Sequence, residues 1–529
     1  MFRRKSIGAW NQEWATDGDA AVASARLVVG KVNPFIKSPP TFTSRGQFVD
    51  KLLTNNDLSR INGNKCIAPQ LSTLTDGSSR EVRPAGTAAL HQKIKHKGKA
   101  MKKATFHMIA GLLAVGMVFG ANFAQAQAGT LDPTFGNGGT VTTNFANGSA
   151  GVGAFEQSNG DIVAVAQVDF VQGEGTGIGL VRYTSTGALD TTFGTNGITN
   201  TSFAGFIFIP FGFAVQKNGD ILVAGEALGR GEAGRIEFGL ARYTANGILD
   251  ATFGKGGLVT TLVGVQVDIP TAMLLQPNGK IVMAGFEVGQ EGVSPGMMSM
   301  VRYNSNGGLD TTFGAGGISL VTDTISGPDA LALLTNGNYL AVGQHGNTTG
   351  VVVELNSKGV LLSKVTAGTL ATELSSSQSG FSPTVFQANG DYLVAVTSCT
   401  DDSECRGTKI GVSRFLETGK VDTSFNAIGF ESLDPPQTTS VGNAIALLAN
   451  GQIVVSGLIN LDSPILGGLA RLDSNGELDT TFGTTNSFGG CCTVTSEQTF
   501  TGLLIQTDGN IVAIGELNGD LALARYLAN

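Results

Sequence analysis

Arg525-Tyr526-Leu527-Ala528-Asn529, read on into Gly129-Thr130-Leu131-Asp132, aligns without a gap on Arg242-Tyr243-Thr244-Ala245-Asn246-Gly247-Ile248-Leu249-Asp250. The second stretch is one internal segment; the first is split between the chain's last residues and a point far upstream. Two widely separated segments that together make one repeat are what a closed ring requires, because the final unit is then completed by the other end of the repeat region and no sheet edge stays open. An open stack, such as a β-solenoid, needs capping units at its ends instead, and none is visible in the sequence.

Working outward, Leu131-Asp132-Pro133-Thr134-Phe135-Gly136 recurs from Leu189, Leu249 and Leu309, then in weaker form from Val421 and Leu478, with a degenerate copy at Leu361. The spacings are 58, 60, 60, 52, 60 and 57 residues. Fixed periods of that size mean a repeat array.

One unit, residues 211–254, reads as four short strands. Phe213-Ala214-Val215-Gln216 enters Lys217-Asn218-Gly219, and Asp220-Ile221-Leu222-Val223-Ala224-Gly225 leaves it. Two apolar runs joined by Asn-Gly signal a hairpin, on the ground that both turn residues tolerate positive φ. The turn recurs at Asn159, Asn278, Asn336, Asn389 and Asn450, and as Asp508-Gly509. The strand after each turn is continuously apolar, as in Ile162-Val163-Ala164-Val165, which implies burial on both faces. Gly239 to Tyr243 supplies a third strand and Gly257 to Thr261 a fourth, and no amphipathic helix interrupts the repeats. The expected fold is therefore all-β: a seven-bladed β-propeller of four-stranded blades over residues 129–529, closed by pairing of the two ends of the repeat region.

The pattern Arg-Tyr-x-x-Asn-Gly-x-Leu-Asp-Thr-Thr-Phe-Gly, with Gln276-Pro277-Asn278-Gly279-Lys280-Ile281-Val282-Met283-Ala284-Gly285, resembles the delta-60 repeat family of exported bacterial proteins. The resemblance spans residues 129–529 and implies a propeller fold and export. It brings no reaction, ligand or catalytic residue.

Upstream, Lys102-Lys103, an apolar run from Ile109 to Phe119 and the small-residue close Ala124-Gln125-Ala126-Gln127-Ala128 have the parts of a signal peptide, residues 101–126. Residues 1–100 are basic and show no sustained period, and are expected to be an over-extended start before Met101. The rival is a signal anchor with a cytoplasmic arm. Gly111, Gly116, Gly120 and Asn122, and a run short of about 20 residues, argue against it. The expectation is an exported protein, periplasmic, secreted or on the cell surface, monomeric and with no stable membrane insertion after cleavage.

Charge divides along the chain. Residues 1–100 carry 16 Lys+Arg against 7 Asp+Glu, whereas residues 127–529 carry 16 against 35. An acidic field repels phosphate backbones, so nucleic acid is not the expected partner. His345 is the one histidine of the repeats, which excludes a histidine-rich metal centre and leaves a Ser-His-Asp relay one imidazole to use. No phosphate loop or metalloprotease motif is present in the repeats, and no cofactor is implied.

Each repeated aspartate follows an arginine by eight residues: Arg182/Asp190, Arg242/Asp250, Arg302/Asp310, Arg414/Asp422, Arg471/Asp479, and Arg525/Asp132 across the split unit. The degenerate copy loses both, carrying Glu354 and Leu362. Joint loss is what an ion pair predicts, since a buried carboxylate without its guanidinium is costly. These twelve residues are read as structural pairs, and the motif phenylalanine as a wedge between blades. Cys399 and Cys405 flank a short acidic loop and are expected to form a disulfide in an oxidising compartment; Cys491-Cys492 is left open between a vicinal disulfide and two thiols. The stretch Phe203 to Phe213 reads as an irregular strand in preference to an exposed patch.

Variable segments fall between the second and third strands: 167–176, 226–235, 286–298, 398–408 and 458–466. Loops that vary on a repeating scaffold are where recognition is built. A non-enzymatic binding or scaffold module for a protein or glycan partner is the leading expectation. A hydrolase or lyase with carboxylates at the central channel, and a structural surface or adhesion component, are the alternatives.

Overall fold

Continuous burial of the second strand sets the architecture. Ile162, Val163, Ala164, Val165 and Ala166 are all fully buried, as are Ile281 through Ala284 and Ile511 through Ile514. A strand covered on both faces has to lie inside a stack of sheets. In the computed structural model it does: seven four-stranded antiparallel sheets, each consecutive in sequence except the last, stand around a ring. The structure describes residues 127–170, 175–203, 205–230, 235–264, 267–287, 297–322, 327–345, 349–366, 380–399, 408–433, 440–459, 466–483, 493–496 and 498–528.

Blades 1 to 6 run over residues 149–201, 206–261, 268–321, 327–366, 380–432 and 440–496. Blade 7 takes its three inner strands from Thr499–Ile505, Ile511–Leu517 and Asp520–Tyr526, and its outer strand from Thr140–Thr143. Thr140 pairs with Ala524 and Thr143 with Leu521, and Leu131 bridges Tyr526. The first strands of successive blades touch in turn, and Thr499–Ile505 packs on Ser149–Glu156 to close the circle. Apolar cores lie between blades, not within them: one buried group joins blades 7 and 1 (Val512, Ile514 and Leu523 with Ile162 and Ala164), and others follow at each boundary.

Of the stretch Phe203 to Phe213, Phe206 onward lies in a strand, Phe206–Val215; Phe203 precedes it, buried like Phe208, and their rings are 5.0 Å apart. The strand looks irregular in sequence because its pairing slips between Pro210 and Gly212. All seven inner strands carry such a slip, at Gly151/Gly153, Pro270/Ala272, Pro328/Ala330, Phe381/Thr384, Gly442/Ala444 and Phe500/Gly502. Bulges bend a strand and sharpen its twist, which suits the edge that turns about the ring axis.

One expectation about the hairpins needs correcting. Only the glycine of each Asn-Gly pair takes positive φ, as at Gly160 (86°) and Gly219 (89°). Gln157 pairs with Asp161, and Gly160 N–H donates to Gln157 O at 2.8 Å. The turn is thus the longer type with glycine at the left-handed position. Asparagine is required for a different reason. Its Oδ1 accepts the N–H two residues on, at 3.2 Å from Asp161 and 3.0 Å from Lys280, an Asx turn that replaces a backbone bond.

Candidate functional site

The chemistry repeated around the ring is concentrated where the third strand of a blade turns into the fourth. Here the Asp-x-Thr spacing explains itself. Asp250 Oδ1 accepts both the N–H of Thr252 at 2.9 Å and its hydroxyl at 2.7 Å, folding the chain into a compact turn. The same two bonds form at Asp132, Asp190, Asp310, Asp422 and Asp479, with Ser424 in place of threonine in blade 5. The middle residue points outward, and it varies: Pro133, Thr191 and Ala251 are all exposed.

The other carboxylate oxygen meets the arginine. Arg182 Nε lies 2.7 Å from Asp190 Oδ2, Arg242 2.8 Å from Asp250, and Arg302 2.7 Å from Asp310. For Arg414 and Asp422 it is 2.7 Å, for Arg471 and Asp479 2.8 Å, and for Arg525 and Asp132 2.9 Å. All twelve side chains are 5–15% exposed. Each guanidinium also lies over the motif phenylalanine, 4.5 Å from the Phe135 ring at the shortest and 4.9 Å from Phe193 and Phe425 at the longest. A cation over an aromatic face is attracted by the ring quadrupole.

The assembly then reaches across to the next blade. Arg242 Nη1 donates to Ser305 O at 2.6 Å, Arg302 to Ser357 O at 2.6 Å, Arg414 to Ser474 O at 2.9 Å and Arg525 to Ser185 O at 2.6 Å. Arg471 donates to Ala528 O. In blade 1 no backbone carbonyl receives Arg182 directly: Arg182 Nη1 donates to Asn246 Oδ1 of blade 2 at 3.4 Å and to Gln157 Oε1 at 3.2 Å, and Gln157 Nε2 donates to Ala245 O at 3.1 Å. One residue past the phenylalanine, a backbone N–H donates to the neighbouring carbonyl, Gly254 to Asn306 at 3.0 Å and Gly194 to Asn246 at 2.9 Å. Meanwhile the ring covers the glycine of the neighbouring turn. A Cβ built on Gly247 (φ 76°) would stand 2.3 Å from Phe193 Cζ, so space and backbone conformation both demand glycine there. Each unit is a clamp of ion pair, ring and two backbone acceptors.

These contacts set the titration of the carboxylates. At Asp190 and Asp250 the hydroxyl and N–H of Thr192 and Thr252 hold the carboxyl below its usual range, with Arg182 and Arg242 adding to it. At Asp132, Asp310, Asp422 and Asp479 burial pushes upward, and the same hydrogen bonds with the cation outweigh it, Lys280 adding a contact at 2.6 Å to Asp310. All six are held as carboxylates by these neighbours.

Blade 4 departs from the others. Glu354 stands at the arginine position and accepts from Asn338 Nδ2 at 2.7 Å; Leu361 pairs with Leu355 as Leu249 does with Tyr243, but the pairing then runs straight on through Ser363, Lys364 and Val365, so the Asp-x-Thr turn of the other blades is absent. Val365 takes the phenylalanine's place in sequence and meets Gly419 of blade 5: a Cβ built on that glycine would lie 3.3 Å from Val352 Cβ and 3.3 Å from Val365 Cβ.

The second turn of each unit, around Asn246-Gly247 in blade 2, is legible in the sequence; its contact with the preceding blade's phenylalanine is not. Gly129, Gly187, Gly247, Gly307, Gly359 and Gly476 are half of each clamp; five of them follow the arginine of their own unit by five residues, and Gly359 follows Glu354 at the same distance. Cys405, Cys491 and Cys492, the signal-like segment and residues 1–100 lie outside the described residues, as does the side chain of Cys399. The same holds for the His345 side chain, at the end of Tyr339–His345.

At the ring's inner strands, acidic residues are sparse among those described: Glu156, Asp268 and Asp329. Glu156 accepts from Thr507 N–H at 2.7 Å, and Asp268, fully buried, accepts from Val263 and Gly264 N–H. Burial, together with nearby Glu237, raises the Asp268 carboxyl above its usual range. Among the described residues, no three His, Cys, Asp or Glu are grouped to hold a metal, and no helix is long and apolar enough to cross a membrane.

Comparison with known proteins agrees with the architecture. A family described as "Domain of unknown function (DUF5122) beta-propeller" matches residues 157–193, 216–253, 276–313 and 448–482. Each match runs from a first hairpin turn to a clamp phenylalanine: Phe193, Phe253, Phe313 or Phe482. No curated protein matches the sequence. Similar solved structures include a protein of unknown function from Dyadobacter fermentans, 12% identical, with 62% of this chain and 96% of that chain covered and a TM-score of 0.38. Another, of unknown function from Bacteroides caccae, is 13% identical over 68% and 98%, with a TM-score of 0.36. An alpha-L-arabinanase from Penicillium chrysogenum, complexed with arabinobiose, is 12% identical over 71% and 92%, with a TM-score of 0.37. At such distances these likenesses bear on no activity. What the strands, the clamps and the family matches support together is a β-propeller repeat protein.

Proposed function

We infer that the protein is a non-enzymatic binding or scaffold module whose partner, a protein or a glycan, is held by one face of the ring. One contrast supports this reading. The turns joining first and second strands are all five residues long (157–161, 216–220, 276–280, 334–338, 387–391, 448–452, 506–510). On the opposite face the connections between second and third strands run to 6, 6, 9, 3, 8, 6 and 2 residues (170–175, 230–235, 288–296, 346–348, 400–407, 460–465, 518–519). A uniform face serves the clamps, and a varied face is where a rigid scaffold carries specificity.

Under this reading the Arg–Asp pairs are structural, the protein is exported as a monomer after cleavage within 101–128, and Cys399–Cys405 closes one of the recognition loops. Fold alone assigns no activity. The test replaces 288–296 and 400–407 by two-residue Asn-Gly turns and compares the variant with the parent chain on a glycan array and in capture from an envelope fraction. Loss of the captured ligand with an unchanged circular-dichroism spectrum is the expected result. Turnover of glycosides or esters by the parent chain would sink the non-enzymatic reading.

A further inference from the structure

We propose that the ring opens, when it opens, between blades 4 and 5, and not where the two ends of the repeat region meet. The ends are the covalent gap, yet every interaction of a continuous turn is reproduced across them. Gly129 N–H donates to Leu527 O at 2.7 Å, and Leu527 N–H to Thr130 O at 2.9 Å, the same bonds that Gly247 and Thr244 make with Thr244 and Ile248. The outer strand Thr140–Thr143 is zipped to the third strand over its whole length. Clamps hold both flanks. On one side Arg471 reaches Ala528 O, Gly483 N–H reaches Ala128 O at 2.8 Å, and Phe482 lies against Gly129. On the other, Arg525 and Asp132 sit 2.7 Å apart at their closest and Arg525 reaches Ser185 O.

Blades 4 and 5 have the opposite arrangement: a continuous chain and no clamp. Glu354, Leu362 and Val365 stand where arginine, aspartate and phenylalanine stand elsewhere. Thr418 O, the counterpart of Asn306 O, receives no backbone N–H among the described residues. The apolar group at this boundary includes Leu340, Val342, Val352, Tyr392, Val394 and Phe415. Tyr392 is fully buried, and among the described residues its hydroxyl has no hydrogen-bond partner. In an array of units each touching only its neighbours, the weakest boundary decides where opening begins. Opening there would bare the apolar faces of both blades while the covalent link kept them together.

Amide hydrogen exchange of the full chain, followed by mass spectrometry in sub-denaturing urea, tests this. Peptides covering 339–355 and 392–415 are expected to lose protection roughly tenfold faster than those covering 140–143 and 521–526. In Arg525→Ala the order should reverse, because the end seam then loses its clamp. Earliest loss at 140–143 and 521–526 in the parent chain would overturn the proposal, as would an Arg525→Ala variant that exchanges in the parent's order.

Discussion

Two places in this ring differ in opposite senses. Within blade 7, between its third strand and its outer strand, the backbone is broken and the chemistry is complete; between blades 4 and 5 the chain is continuous and the chemistry is missing. What joins neighbouring blades is thus not the polypeptide but a set of side chains that carry one blade's turn onto the next. A propeller blade cannot bury its own faces, so its stability belongs to its boundaries. The comparison becomes quantitative when single clamps are removed.

Removal of a wedge should have the largest effect. Phe253 is fully buried, carries Arg242 on one face at 4.6 Å, and packs by its ring against Gly307 of blade 3. Phe253→Ala empties that space and strips the cation's platform, so a loss of about 3–5 kcal/mol is expected from the urea midpoint. Val365→Ala, at the corresponding place in blade 4, removes a smaller and half-exposed side chain, and about 1 kcal/mol is expected. Equal losses at the two positions would remove the distinction between clamped and bare boundaries.

Breaking one ion pair comes next. Asp250→Ala leaves the Arg242 guanidinium, 12% exposed, without its counterion, for an expected cost of about 3 kcal/mol. Replacing Arg242 and Asp250 together by leucine should cost less than the sum of the single changes, since neither charge is then stranded. Strict additivity in that cycle would mean that the two do not act as a pair.

How far the sequence disclosed these boundaries depends on what repeats. Arg, Asp and Phe recur at fixed spacing, so their association and the closure through Tyr526 and Leu131 could be read before any coordinates. The partner turn was less legible. Its acceptors are backbone carbonyls, Ser305 O or Ala528 O, which any residue supplies and which leave no trace in composition. Gly247 did leave a trace, but a glycine in an Asn-Gly turn is explained by local conformation alone, and its contact with Phe193 lies one blade away. The inner-strand bulges were hidden for a similar reason: a slip in pairing is a relation between two strands, not a property of either. The recognition face resists reading because its loops do not repeat.

Acid supplies a gentler probe. The six clamp carboxylates all titrate below their usual range. A depressed folded value contributes stability that is present above the unfolded value, about 3.9, and is lost as pH falls through the folded one. Asp268, Glu431 and Glu516 have the opposite sign: burial chiefly raises them, so they cost stability at neutral pH and relax as acid protonates them. The deficit of Asp250→Asn relative to the parent chain should therefore be constant above about pH 5 and shrink below about pH 4. A deficit independent of pH down to about 2 would mean that Asp250 contributes by shape and not by charge.

At the bare boundary the smallest effect is expected, and it is the one that most sharpens the comparison. Glu354 occupies the arginine position, but its described partner is Asn338 of the same blade, at 2.7 Å across the strand pair. It has no ring beneath it and reaches no carbonyl of blade 5 among the described contacts. Glu354→Ala should shift stability by about 0.5–1 kcal/mol, the scale of one half-exposed hydrogen bond. Arg302→Ala, one blade earlier, strips Asp310, Ser357 O, Thr312 and Tyr339 of a shared donor, all within 2.6–3.2 Å. It should cost at least twice as much. If Glu354→Ala were the more damaging of the two, blade 4 would hold blade 5 by some different means, and the bare boundary would have to be redrawn as a second kind of clamp.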